Sequence, residues 1–96
     1  MRVKRSTKKV KLVGKSIRSL DEFYDEINKK LRFPDYFGRN LDALWDVLTT
    51  DVQGPVELAW EDSEASKKSM GKDFEKVAAL LKDIEKERDD FKVIFR

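Results

Sequence analysis

The chain has no cysteine and no histidine. The first absence removes disulfide stapling and thiolate chemistry, the second removes the commonest general base, and together they remove most zinc sites. Carboxylates are left as the plausible acid–base groups. No stretch is apolar for long enough to cross a membrane, and the basic opening from Met1 to Lys15 has no hydrophobic region behind it of the kind a signal peptide requires. A soluble, cytoplasmic protein is expected, and the lack of cysteine fits a reducing compartment. At 96 residues and 40% hydrophobic content the chain suits one compact domain.

Charge of one sign is missing from one stretch and nearly so from another. Residues 1–15 carry Arg2, Lys4, Arg5, Lys8, Lys9, Lys11 and Lys15 with no acid. Since the whole chain has 21 basic and 19 acidic residues, everything after Lys15 is net negative. Between residues 35 and 64 the acids Asp35, Asp42, Asp46, Asp51, Glu57, Glu61, Asp62 and Glu64 face a single cation, Arg39. A basic end on an acidic body leaves two partners open: nucleic acid for the tail, or a cationic protein for the body.

Lys8 to Val13 alternates charged and apolar residues before Gly14, which predicts a first strand. Ser19 with Glu22 three residues on is a capping box, and Leu20, Phe23, Ile27 and Leu31 recur at helical spacing, so a helix is expected from Leu20 to about Leu31. Pro34 and Gly38 mark residues 32–39 as a structured connection. Asn40 is a suitable N-cap for a second helix whose face Leu41, Leu44, Trp45 and Leu48 form, ending near Thr50. Gly54-Pro55 marks a turn, and Val56 to Trp60 reads as a strand. Residues 61–70 are polar and support at most a short surface helix. From Lys72 to about Arg88, Phe74, Val77, Ala78, Leu81 and Ile84 make an apolar stripe, and Phe91 to Phe95 supplies a last strand, expected to be buried on both faces. Strands separated by helical crossovers indicate an α/β fold with a three-stranded parallel sheet and about four helices.

The second helix carries the candidate site. Asp42, Asp46 and Thr49 are spaced i, i+4, i+7 and form a polar stripe beside the apolar one. Like charges at i, i+4 repel by roughly 0.2 to 0.5 kcal/mol, and a solvated face is the ordinary reading of such a stripe. Against that reading stands the company it keeps: Tyr36, Phe37, Asn40, Trp45 and Asp51 lie close by in sequence, mixing rings with carboxylates. Such a mixture suits contact with a cationic concave surface, much as a nucleic acid would make it. Trp45 fits core or contact equally well, and Trp60 fits the core. Tyr36 and Phe37 are adjacent in a loop, so at least one ring is expected to be exposed.

The run from Phe33 to Thr49, Phe-Pro-Asp-Tyr-Phe-Gly-Arg-Asn-Leu-Asp-Ala-Leu-Trp-Asp-Val-Leu-Thr, resembles the signature of the barstar family, whose members inhibit barnase-type ribonucleases. The likeness extends from about Lys8 to the C-terminus, including Ile17-Arg18-Ser19, Pro55 and Trp60, and leaves residues 1–7 outside as a basic tail expected to be mobile and remote from the contact face. The resemblance implies a three-stranded parallel sheet with helices on it, an intracellular inhibitor rather than an enzyme, no cofactor, no metal, and a free monomer whose partner is a cationic ribonuclease. It implies that Asp46 is the anion placed in the enzyme's phosphate-binding region. Asp42 would be a second acid, Tyr36 a ring packed on the catalytic region, and Asn40, Trp45 and Thr49 contact or supporting positions. Departures fall at the periphery. Phe37 stands where the best-known member has tyrosine, Asp51 replaces a rim aromatic and Asp83 replaces a longer glutamate, whereas Glu87 is retained. The same strategy toward a different preferred ribonuclease is expected.

Two other classes compete with this reading. An RNA-binding protein would use the basic N-terminus, with an affinity that falls steeply as salt rises. A magnesium-dependent hydrolase would use Asp42 and Asp46 as oxygen ligands, a weak signal with two carboxylates alone.

Overall fold

The alternating residues at the start of the chain form β1, Lys8–Val13, in the computed structural model, which describes residues 7–96. Val10 and Leu12 are buried while Lys9, Lys11 and Val13 are exposed on the opposite face, as the period of a strand requires. The basic opening, residues 1–6, lies outside the described residues, and with it the expectation of a mobile tail. α1, Leu20–Leu31, begins with the capping box: Ser19 Oγ accepts the Glu22 N–H at 3.1 Å. The Glu22 carboxylate in turn accepts the Arg18 N–H at 2.8 Å and meets its guanidinium at 3.2 Å, which holds the carboxyl below its usual range. Phe23, Tyr24, Ile27 and Leu31 face the core.

α2, Leu41–Asp46, starts at Asn40, whose Oδ1 accepts the Ala43 N–H at 2.8 Å. The single helix expected to run to about Thr50 changes character after Asp46. Residues Val47–Asp51 form a π turn, closed by the Val52 N–H on the Val47 carbonyl at 3.0 Å. The threonines account for part of this. Thr49 and Thr50 hydroxyls each donate back four residues, to the carbonyls of Trp45 and Asp46, and such bonds compete with the helical ladder and bend it.

β2, Val56–Glu61, follows, then α3, Ser63–Met70, α4, Lys72–Glu87, and β3, Phe91–Phe95. The three strands make one parallel sheet in the order β1-β2-β3, with Val10, Leu58 and Val93 in one row and Leu12, Trp60 and Phe95 in the next. One face buries Val10, Leu12, Val56, Leu58, Trp60 and Phe91. The other carries Lys9, Glu57 and Lys92 aligned across the strands, so charge alternates along the row. β3 is therefore an edge strand with an open face, and only Phe91 in it is buried while Val93, Ile94 and Phe95 are half-buried. Burial on both faces, expected from its apolar run, does not occur because helices cover one side of the sheet.

α3 also exceeds its expectation as a surface helix, since it docks through Ser66 and Met70. Ser66 is 0% exposed; its hydroxyl accepts the Trp60 indole N–H at 3.0 Å and donates to the Gly14 carbonyl at 2.9 Å. This pins α3 to the sheet and to the turn after β1. Gly14 permits the approach, because a Cβ there would collide with the backbone of Glu61 and Asp62. Trp60 is itself wholly buried, stacked on Phe23 at 5.2 Å and edge-on to Phe74 at 5.1 Å.

Ser66→Ala would leave a buried donor and a buried acceptor without partners, at a cost of about 1–3 kcal/mol. For a domain of this size each kcal/mol lowers the thermal midpoint by roughly 4–8 °C. Calorimetry of the variant tests this, and an unchanged midpoint would remove the bridge from the account of α3 docking.

Candidate partner-binding site

Leu44 and Leu48 are both 0% exposed and set the rotation of α2 and its π turn about their axis. Asp42 and Asp46 then stand one turn apart on the exposed side. Trp45 lies between the two environments, half-buried and packed against the core. Behind them α4 packs on α2 and on the π turn, and it carries Asp83 and Glu87, both exposed.

Arg39, the one cation in this part of the sequence, makes its ion pairs with acids of α1 and not with those of α2. Its guanidinium pairs with Asp21 at 2.6 Å and Asp25 at 3.0 Å, both on α1, and sits over the Tyr24 ring at 5.7 Å. The bond to Asp21 raises its pKa further, so it stays charged and committed there. Among the described residues neither Asp42 nor Asp46 has an ion pair. The exposed side of α2 is left with uncompensated negative charge. Among the described residues no group of three or more His, Cys, Asp or Glu side chains is placed to hold a metal ion.

The adjacent rings of the loop separate. Tyr36 is 76% exposed, and its hydroxyl donates to Asp51 Oδ2 at 2.7 Å. Phe37 turns inward, edge-on to Phe33 at 4.9 Å and Tyr24 at 5.7 Å. The ring of Phe37, a candidate contact because it lies in the cluster of rings and acids, is part of the core, and the reason is its aromatic neighbours on α1 and at Phe33. The bond from Tyr36 to Asp51 ties the two together as a rim, while the Thr50 hydroxyl gives its one proton to the Asp46 carbonyl. Asn40 and Thr49 engage the local backbone: Asn40 Nδ2 donates to the Gly38 carbonyl at 3.3 Å, and Thr49 Oγ1 to the Trp45 carbonyl at 2.7 Å.

A family described as "Barstar (barnase inhibitor)" matches residues 7–96. The chain belongs to the barstar family. A Bacillus subtilis (strain 168) protein named "Putative ribonuclease inhibitor YrdF" is 36% identical over 88 residues, which span 91% of this chain and 97% of that protein. The α/β architecture, with three parallel strands and four α-helices among the described residues, is consistent with a barstar-like fold.

Two residues of the site were not legible in the sequence. Arg39 reads there as a partial neutraliser of the acids around it, whereas the fold sends it to α1. Arg88 sits at the far end of α4 and nothing local indicates its reach, yet its Nη1 donates to the carbonyls of Leu48 at 2.6 Å and Val52 at 2.9 Å, on either side of residues 49–51 of the π turn.

The bond to the Asp51 carboxylate stabilises the neutral phenol of Tyr36 and raises its pKa above the ordinary tyrosine value. A raised folded-state pKa means that this stabilisation is complete below the unfolded value and is lost as pH rises through the folded one. In an NMR titration of the two tyrosine rings, Asp51→Ala should move the Tyr36 midpoint down and leave Tyr24 in place. Equal midpoints in parent and variant would show that the pair does not persist in solution.

Proposed function

We propose that this protein inhibits a cationic, barnase-type ribonuclease by covering the enzyme's active site with α2 and the rim at Tyr36 and Asp51. The observation that carries the reading is the pair of exposed, unpaired carboxylates Asp42 and Asp46 on one side of a helix, in a chain whose family is described as barnase inhibitors. A ribonuclease must hold a phosphate, so its active site is built from cations. Carboxylates on a rigid helix can occupy that site in place of the phosphate while adding directional, charge-assisted hydrogen bonds. Asp46 is assigned the central position and Asp42 the neighbouring one. Trp45 and Asn40 keep the helix presented, Thr49 and Tyr36 flank the acids, and Asp83 and Glu87 extend the negative surface along α4.

In this reading the protein performs no chemistry; it excludes RNA by occupying the place where RNA would bind. Its site of action is the cytoplasm of a cell that produces a ribonuclease, where it serves as an immunity protein and is a monomer until it meets the enzyme. The altered periphery supports a preference for a different member of that enzyme class. Asp51 places an anion where an aromatic would stand, so the favoured enzyme carries a cation or a hydrogen-bond donor at that edge. Asp83 is one methylene shorter than glutamate and asks for a closer basic group.

Asp46→Ala should fold as the parent does, because the side chain is exposed, yet lose inhibition of a barnase-type ribonuclease. Removing one member of a charge pair that is buried in the complex costs about 3–5 kcal/mol, or roughly 100-fold to 1,000-fold and more in the inhibition constant. An inhibition constant equal to the parent's would remove Asp46 as anchor. Raising ionic strength from about 0.1 M to about 1 M shortens the screening length from about 10 Å to about 3 Å and should slow association more than it speeds dissociation. Stopped-flow measurement separates the two rates, and a salt-independent association rate would contradict charge steering.

A further inference from the structure

We propose that Arg88 is the positioning residue for the rim of the binding face, acting from behind it through the backbone of the π turn. The inference rests on the reading of α2 as the contact surface and adds a residue that touches no partner. Arg88 lies just past α4 with its side chain only 13% exposed. Its Nε and Nη2 form a fork with the Asp90 carboxylate, at 2.8 Å and 3.0 Å. The remaining nitrogen, Nη1, reaches across to the Leu48 and Val52 carbonyls. One rigid, planar cation therefore joins three segments: the end of α4, the connection into β3 and the π turn.

The geometry explains why these carbonyls matter. The last carbonyls of a helix have no partner within the helix and carry its negative dipole end, where a cation is favoured. The two that Arg88 takes bracket residues 49–51. Those three residues include Thr49 and Asp51, and Asp51 holds the Tyr36 hydroxyl. Gripping the turn on both sides of this segment sets where its outer side points, and with it the exposed ring of Tyr36. Space for the guanidinium is provided by Gly54, where a Cβ would strike Asp90 and Arg88 Nη2. Pairing with Asp90 fixes the plane of the fork, so the Nη1 hydrogens are aimed rather than free to rotate. Asp46 precedes the gripped segment, in α2 proper, where the burial of Leu44 sets its direction and Arg88 makes no contact with it.

The clamp predicts a division of effects. Arg88→Met keeps an apolar stem of similar length and loses the hydrogen bonds. In the free protein, amide exchange at residues 49–53 should rise at least about tenfold, as expected for loss of hydrogen bonds to a charged group, while exchange in β2 stays at the parent level. In complex with a barnase-type ribonuclease, dissociation should quicken by about tenfold. Association should be unchanged or faster, because the variant has one positive charge fewer against a cationic enzyme. The loss should be coupled to the rim and not to the anchor: adding Arg88→Met to Asp51→Ala should cost less than it does in the parent, and adding it to Asp46→Ala should cost the same. A merely structural role would raise exchange in β2 together with the turn and would couple to neither acid. That result, or unchanged exchange at residues 49–53, overturns the proposal. Failure of the parent to inhibit any barnase-type ribonuclease would instead sink the reading of function, and the exchange measurement on the free chain would still decide whether Arg88 clamps the turn.

Discussion

The binding face depends on the burial of Leu44 and Leu48. Removing two leucine side chains from water contributes about 1.5–3 kcal/mol each. Turning α2 by one residue would expose both and press a carboxylate toward the core, which costs several kcal/mol more unless the group takes up a proton. The repulsion between Asp42 and Asp46, roughly 0.2 to 0.5 kcal/mol, is small beside these terms. The apolar side therefore decides the orientation of the helix and the acids accept it. Charge is concentrated on the outside because the core leaves it nowhere else to go, and Arg39, the cation able to relieve it, is engaged by Asp21 and Asp25 on α1.

Both ends of the same segment are held by polar bonds to the backbone. Asn40 caps the start through the Ala43 N–H, and Arg88 takes the carbonyls at the finish. The threonines of the π turn spend their hydroxyls on the backbone, and Tyr36 spends its own on Asp51. What remains outward is carboxylate and ring. A surface ordered before it meets a partner loses less side-chain and loop entropy on binding, so more of its contact energy is realised as affinity.

Much of the architecture could be read from residue order. The limits of β1, α1 and β3 follow from alternation, from the Ser19–Glu22 capping box and from the apolar run that ends the chain. Asn40 as a cap and the stripe on α4 were equally legible, since both are matters of local spacing. The misreadings share a cause. Ser66 looks like a surface residue until Trp60 and Gly14 are brought to it, because a satisfied buried hydroxyl and an exposed one are the same letter. β3 looks doubly buried until the helices are seen to cover one face of the sheet alone. Phe37 looks available until Tyr24 and Phe33 enclose it.

The sequence alone determined the α/β class, the parallel sheet, the family and the clustering of acids and rings between Asp35 and Asp51, because each of these is written in short-range pattern or in a contiguous motif. Tertiary structure decided the rest: that Arg39 leaves the acids unpaired, that Tyr36 faces out while Phe37 faces in, and that Arg88 closes the far end of the site from the end of α4. Each of those outcomes joins residues well separated in the chain. Local spacing carries no information about such distances, and only packing brings the partners into hydrogen-bonding range.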